Sequence, residues 1–259
     1  MFSVACGRHG CYVPQALVDL FKGEQQKNAD FSFLKGLKMT NVQIDQIVLL
    51  IYDIVCGHIV HLFDRIGIHI PPELIIEAAI GLFHVHAHKE QCFFQYAPTF
   101  IPGTGIVAGE ILESLWSSLN SISPMSRTAT LAHRAETLDD HATDSNHKKL
   151  IGMVATLCRL YRHAVDMFDH AQLYFHNLTE EAGATAVEMW TEDIVRAEKE
   201  RRKDVTVMDI YAAKLAAPPA GKTSGTSATG TSASGTSASG TSGTSTAWME
   251  LALRVEEKQ

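Results

Sequence analysis

Apolar side chains are spread unevenly along the chain, and their period changes near its middle. Residues 43–53 contain the block Ile47, Val48, Leu49, Leu50, Ile51, followed by Tyr52 and closed by Asp53. A short, continuous, β-branched apolar run predicts a buried central strand. Pro71 and Pro72 then break the chain, and residues 75–85 form a second apolar segment. Its periodicity fits a strand or a short helix equally well. Residues 101–109 carry Pro102, Gly103, Gly105 and Gly109, which predicts a sharply turning loop. Beyond this loop the period becomes helical: Ile111, Leu112, Leu115, Trp116 and Leu119 recur at helical spacing behind acidic residues that suit a helix N-terminus. Three further amphipathic helices are predicted, over residues 146–175 (with or without an interruption), 179–203 and 208–216. A few strands followed by mostly helix predict a mixed α/β domain, predominantly helical.

This body spans residues 1–219 and stops at the pair Pro218 and Pro219. Residues 220–246 are almost entirely Gly, Thr, Ser and Ala, and the phrase Gly-Thr-Ser-Ala-Ser repeats at Gly230 and Gly235. Side chains this small bury too little apolar area to offset the entropy of ordering, so the segment reads as a disordered linker. Residues 247–259 set Trp248, Leu251, Leu253 and Val255 among charged groups, which reads as a short helix or tail.

Composition narrows the picture. A chain of 259 residues with 46% hydrophobic and 20% charged side chains is an ordinary globule with one large domain or two small ones. No run of eighteen consecutive apolar residues occurs, so no membrane span is expected, and no secretory leader is recognisable. The expected address is intracellular. A net charge of -7 argues against coating nucleic acid by bulk attraction, leaving any DNA contact to a local patch. Five Cys, an odd number, argue for buried thiols or metal ligands over a disulfide framework.

Four groups of residues have chemical potential. Asp53 stands where the predicted strand ends, the rim at which α/β sheets bind ligands, although Asp there also serves as a helix cap. Glu110 and Glu113 lie at i and i+3, on one helix face beside Trp116. With an Asp on a neighbouring strand such a Glu can hold divalent metal; by itself the pair reads as a solvated first turn. The run His84, His86, His88 and Cys92 stacks His84, His88 and Cys92 if it is helical, a spacing compatible with zinc, and puts the three His on one face if it is extended. Cys6, His9 and Cys11 form part of a knuckle-like cluster. Finally, Arg196, Lys199, Arg201, Arg202 and Lys203 crowd one helix end, where they can track DNA phosphates or complement the helix dipole.

The phrases CGRHGCYVPQALVDLFKGEQQKNADFSF, LLIYDIVCGHIVHLFDRI, FHVHAHKEQC, GTGIVAGEILESLWSSLN and HRAETLDDHATDSNHKKL follow one another between residues 6 and 208. In that order they resemble fungal KDZ (Kyakuja, Dileera and Zisupton) transposases, proteins also associated with a CxC2-like cysteine cluster. The resemblance implies a partial RNase H-like fold that uses acidic residues and Mg²⁺ to cut and rejoin DNA in the nucleus. It implies Asp53 as the second catalytic acid and Glu110 or Glu113 as the third. It also places the first catalytic Asp on a strand upstream of the matched phrases. Ala108 and Gly57 stand where the family usually has an acid and a Gln. The expectation is therefore a transposase fragment with little or no activity. The alternatives are a relic interaction module without catalysis, and a zinc-stabilised protein in which His84, His88 and Cys92 are joined by Cys6, Cys11 or Cys56.

Overall fold

The apolar run at Ile47–Ile51 forms strand β1, and Ile75–Ala79 forms β2. They pair in parallel, in a register that runs from Ile47 opposite Ile75 to Ile51 opposite Ala79. The computed structural model describes residues 1–20, 23–105 and 107–211. The predicted linker, the segment 247–259 and most of the helix predicted at 208–216 lie outside these residues. Among the described residues the fold is mostly helical, with this single small sheet. The expectation of a buried central strand is corrected: β1 pairs on one side only, is half-buried over most of its length, and exposes Ile47.

A parallel pair requires a crossover. It is built from α2 (Val55–His58), α3 (Leu62–Ile66) and two 3₁₀ turns. Two apolar clusters hold it to the sheet. Leu62, Ile66, Ile70 and Leu74 pack with Phe33 of α1 (Gln26–Met39) against Val48 and Ile76. Val55 packs with Ala78, Ile80, Val85 and Tyr96 in the other cluster. The buried Asp30 carboxylate ties α1 to the crossover: Arg65 donates to it twice, at 2.7 and 3.0 Å, and His58 Nε2 lies 3.3 Å from it.

Segment 75–85 is both of the elements considered for it, a strand and then a helix. After β2 the chain turns at Gly81 into α4 (Leu82–Val85), followed by α5 (Glu90–Tyr96). The helix expected after the glycine loop forms as α6 (Ile111–Leu119). A short α7 (Ser123–Arg127) leads into α8 (Leu131–Ala182), an unbroken helix of 52 residues that extends beyond the predicted 146–175 at both ends. Thr130 caps its start by accepting from the His133 N–H, and Gly183, at φ 81°, ends it. Gly183 lacks a Cβ and takes this positive φ without strain, so α9 (Ala184–Glu200) starts in a new direction.

The first part of α8 packs on the N-terminal segment. Leu138 and Ala142 are buried, Asn146 exchanges two hydrogen bonds with the Tyr12 backbone at 2.7 and 2.9 Å, and Arg134 grips Asp19 through two nitrogens. Further along, Leu150, Val154, Tyr161, Phe168 and Phe175 are exposed. The chain then returns to the sheet through α9 and a 3₁₀ turn at Val205–Tyr211, whose Met208 is fully buried.

Candidate functional site

Because β1 and β2 are parallel, their carboxyl ends lie side by side, and the segments leaving them meet. The Tyr52 N–H donates to the Ala79 carbonyl at 3.0 Å, carrying the pairing one step past β1. Asp53 follows at once. It does not cap α2, whose N-cap position is Ile54 and carries no side-chain cap. On the β2 side, α4 brings His84 to the same rim. The glycine loop is stitched to this turn by the Leu82 N–H donating to the Ala108 carbonyl at 2.8 Å and the Phe83 N–H donating to Glu110 Oε1 at 2.9 Å.

Three carboxylates consequently converge on one imidazole. His84 Nε2 lies 3.4 Å from Glu110 Oε2, 3.6 Å from Glu113 Oε1 and 3.8 Å from Asp53 Oδ1. Asp53 and Glu113 are open to solvent, at 56% and 60% exposure, while Glu110 is 22% exposed and held by the Phe83 N–H. Burial raises the Asp53 pKa above the ordinary Asp value; His84 pulls it down, and the negative charges of Glu110, Glu113 and Glu24 add to the rise. The Tyr52 hydroxyl beside it donates to Glu24, and its pKa is raised, first by burial and then by that carboxylate. A cleft of about 390 Å³ opens at this point, lined by Asp53, Glu110, Glu113 and Trp116 together with Phe33 and Val48.

Two glycines allow the approach. A Cβ on Gly81 would collide with the Glu110 carboxylate. Gly109 sits at φ 81°, and a Cβ there would lie 3.0 Å from both the Gly81 Cα and Ile51 Cγ2. Gly109→Ala is therefore expected to cost about 1–2 kcal/mol, the scale of forcing an L residue into the left-handed region, together with displacement of the loop that presents Glu110. Urea denaturation of the variant measures it.

The His/Cys run does not form a continuous helix. The break between α4 and α5 sends His84 to the carboxylates, so the stacked arrangement of His84, His88 and Cys92 does not arise. His88 and Cys92 are joined instead by Cys56 from α2: the three ligand atoms lie within 4.8 Å of one another, with Cys56 Sγ 3.4 Å from His88 Nδ1. This group can hold a metal ion. Burial raises the Cys92 thiol pKa, and the neighbouring Cys56 raises it further. In the N-terminal cluster Cys6 Sγ lies 3.3 Å from His9 Nδ1, and Cys11 Sγ points to the His9 carbonyl.

Of the five basic residues at the end of α9, Arg201 is buried and donates to Glu77 and to the Gln95 carbonyl, and Arg202 donates to the same Glu77 at 2.6 Å. Arg196 pairs with Asp193, and Lys199 and Lys203 are exposed. The sequence reading missed the place of His84 among the acids. The available signal was that Asp53 and His84 both follow closely on the ends of what prove to be parallel strands.

Open α/β sheets bind ligands at the carboxyl ends of their strands, and the carboxylate cluster stands at that rim. Residues 1–146 match the model of the Kyakuja-Dileera-Zisupton transposase family, and the chain belongs to that family. No match is found among curated proteins or among solved structures. No helix among the described residues is long and apolar enough to cross a membrane.

Proposed function

We propose that Asp53, Glu110 and Glu113 are the metal-holding acids of a DNA strand-cleavage and transfer centre on a partial RNase H-like fold, acting in the nucleus. The observation that carries this reading is the convergence of the three carboxylates on one point at the strand ends. Their chemistry suits Mg²⁺, which takes hard oxygen ligands and keeps several waters; the exposure of Asp53 and Glu113 leaves room for those waters. When bound, the ion supplies Lewis acidity to the phosphodiester and activates an attacking oxygen. The chain's own part is positional. The Phe83 N–H orients Glu110, the α6 helix sets Glu113 one turn on, and the end of β1 fixes Asp53. The exposed Lys199 and Lys203 are proposed to meet DNA phosphates, together with Arg196 and Arg202.

One observation favours a second reading. His84 already sits among the three carboxylates, where a cation would be attracted, and its imidazole can hold the acids together without metal, as a non-catalytic scaffold would require. Counting Mn²⁺ by electron paramagnetic resonance on the full chain separates the two. The metal reading expects at least one bound Mn²⁺ per chain, displaced by Mg²⁺ and lost in the double variant Asp53→Asn/Glu113→Gln. A wild-type chain that binds none sinks it and leaves the scaffold reading.

A further inference from the structure

We propose that Cys56, His88 and Cys92 bind a zinc ion that locks the two walls of the acid site together. Cys56 lies in α2, the first turn after Asp53; His88 lies in the turn after α4, which carries His84; Cys92 lies in α5. The three half-buried side chains offer two sulfurs and one imidazole nitrogen within 4.8 Å of one another. Tetrahedral zinc with bonds of about 2.3 Å to sulfur and about 2.0 Å to nitrogen spaces its ligands about 3.5 Å apart. The Cys56 Sγ to His88 Nδ1 separation of 3.4 Å has this value before any ion is added.

The donor set itself selects the metal. Two thiolates and an imidazole suit zinc and are poor ligands for Mg²⁺, which takes oxygen. The acid cluster a short distance away has the opposite preference, so the two sites sort two metals by ligand softness. Three protein ligands leave a fourth position for water or another small ligand.

The mechanical consequence follows from which elements are joined. β1 and β2 are held to each other by only five residue pairs, and the segments that leave them must stay in place for Asp53 and His84 to meet. A bond from α2 to the α4–α5 turn ties those two segments directly. Such a metal contributes to folding, because the unfolded chain has no preformed site. The inference does not rest on the acids holding metal.

The test is elemental analysis of the full chain, purified under reductant and reconstituted with Zn²⁺, followed by Co²⁺ substitution. The wild type is expected to hold about one zinc per chain, and its Co²⁺ form to show thiolate-to-metal charge-transfer absorption with intense tetrahedral visible bands. Cys56→Ser and Cys92→Ser are expected to lose both. Cys158→Ser, at an exposed cysteine of α8, and the double variant Cys6→Ser/Cys11→Ser are expected to keep them. Asp53→Asn/Glu113→Gln is also expected to keep its zinc, so failure here and failure of the Mn²⁺ count are read separately. If a serine variant does not fold, the wild-type Co²⁺ spectrum decides alone. Zinc far below one per chain, a Co²⁺ form without thiolate absorption, loss of zinc in the Cys6→Ser/Cys11→Ser variant, or a Cys56–Cys92 disulfide seen by intact mass under reductant each overturns the proposal.

Discussion

Asp53→Asn is expected to raise the thermal midpoint of the metal-free chain at neutral pH while weakening its divalent-metal binding at least about tenfold, the loss seen when a metal site is perturbed. The two effects have one cause. The folded chain holds the Asp53 carboxyl above its ordinary pKa first because it is partly buried; His84 opposes that rise, and the negative charges of Glu110 and Glu113 add to it. A raised pKa means the folded state prefers the proton. Below the unfolded pKa both states are protonated and Asp53 costs nothing. As pH rises, the unfolded chain ionises first, so stability falls until the folded value is passed, and the loss is constant above it. Asn cannot ionise, so the gap between variant and wild type should open across that acidic window and stay flat to neutral pH. Because Asp53 is mostly exposed, solvent screens the effect and the gain is small, about 0.5 kcal/mol on the scale of exposed charges. Mg²⁺ should reverse the order by stabilising the wild type and leaving the variant unmoved. Thermal melts over pH in chelator and in excess Mg²⁺ measure both parts. A variant no more stable than the wild type in chelator removes the electrostatic account of the cluster, and an equal Mg²⁺ response in the two removes the metal account.

How much of this was legible in the sequence depends on the distance over which each signal acts. The Ile47–Ile51 strand and the helix after the glycine loop are encoded locally, by an apolar run and a helical period, and both form where the sequence places them. The coarse outline, helical with a small strand component, follows from the same signals. The burial of β1 was misjudged because an apolar run reports that a strand wants cover, whereas how many neighbours it gains is decided by the rest of the chain. The start of α8 at Leu131, well before the predicted residue 146, was missed because its first turns are rich in polar residues and bury little more than Leu138 and Ala142, which leaves only a faint period. For the site, Asp53, Glu110 and Glu113 were named from their positions at element ends. That both Glu residues, and not one, reach His84 depends on the Phe83 N–H and on the space left by Gly81, neither of which spacing reveals. The regrouping of Cys56 with His88 and Cys92 needs the parallel register of β1 and β2, which sets the segments after both strands on the same rim. His84 and His88 then part company because the chain turns between α4 and α5.

The end of α9 shows the same dependence, and it yields the largest expected loss of stability. Five basic residues in a row of eight read as a surface patch, yet Arg201 points inward. Its Nη2 donates to the Gln95 carbonyl at 2.7 Å and its Nε to Glu77 at 3.4 Å, and so fastens the helix to the middle of β2. Burial lowers its pKa and the Glu77 charge opposes that shift, which is the electrostatic form of a buried ion pair. Arg201→Met fills much of the same volume but leaves the Gln95 carbonyl without this donor and Glu77 with Arg202 alone. Breaking a buried pair from one side costs about 3–5 kcal/mol; with Arg202 still 2.6 Å from Glu77, the lower end of that range is expected. Urea denaturation should show a lower midpoint at unchanged slope. Lys199→Ala, at an exposed position of the same helix end, should stay within about 0.5 kcal/mol of the wild type. DNA binding distinguishes the two residues in the other direction: removing Lys199 and Lys203 should lower the salt dependence of any DNA affinity, because only exposed charges release counter-ions from phosphates. If Arg201→Met unfolds with the wild type, the guanidinium is not the fastening that its contacts describe, and the end of α9 is held by the packing of Met208 and its neighbours alone.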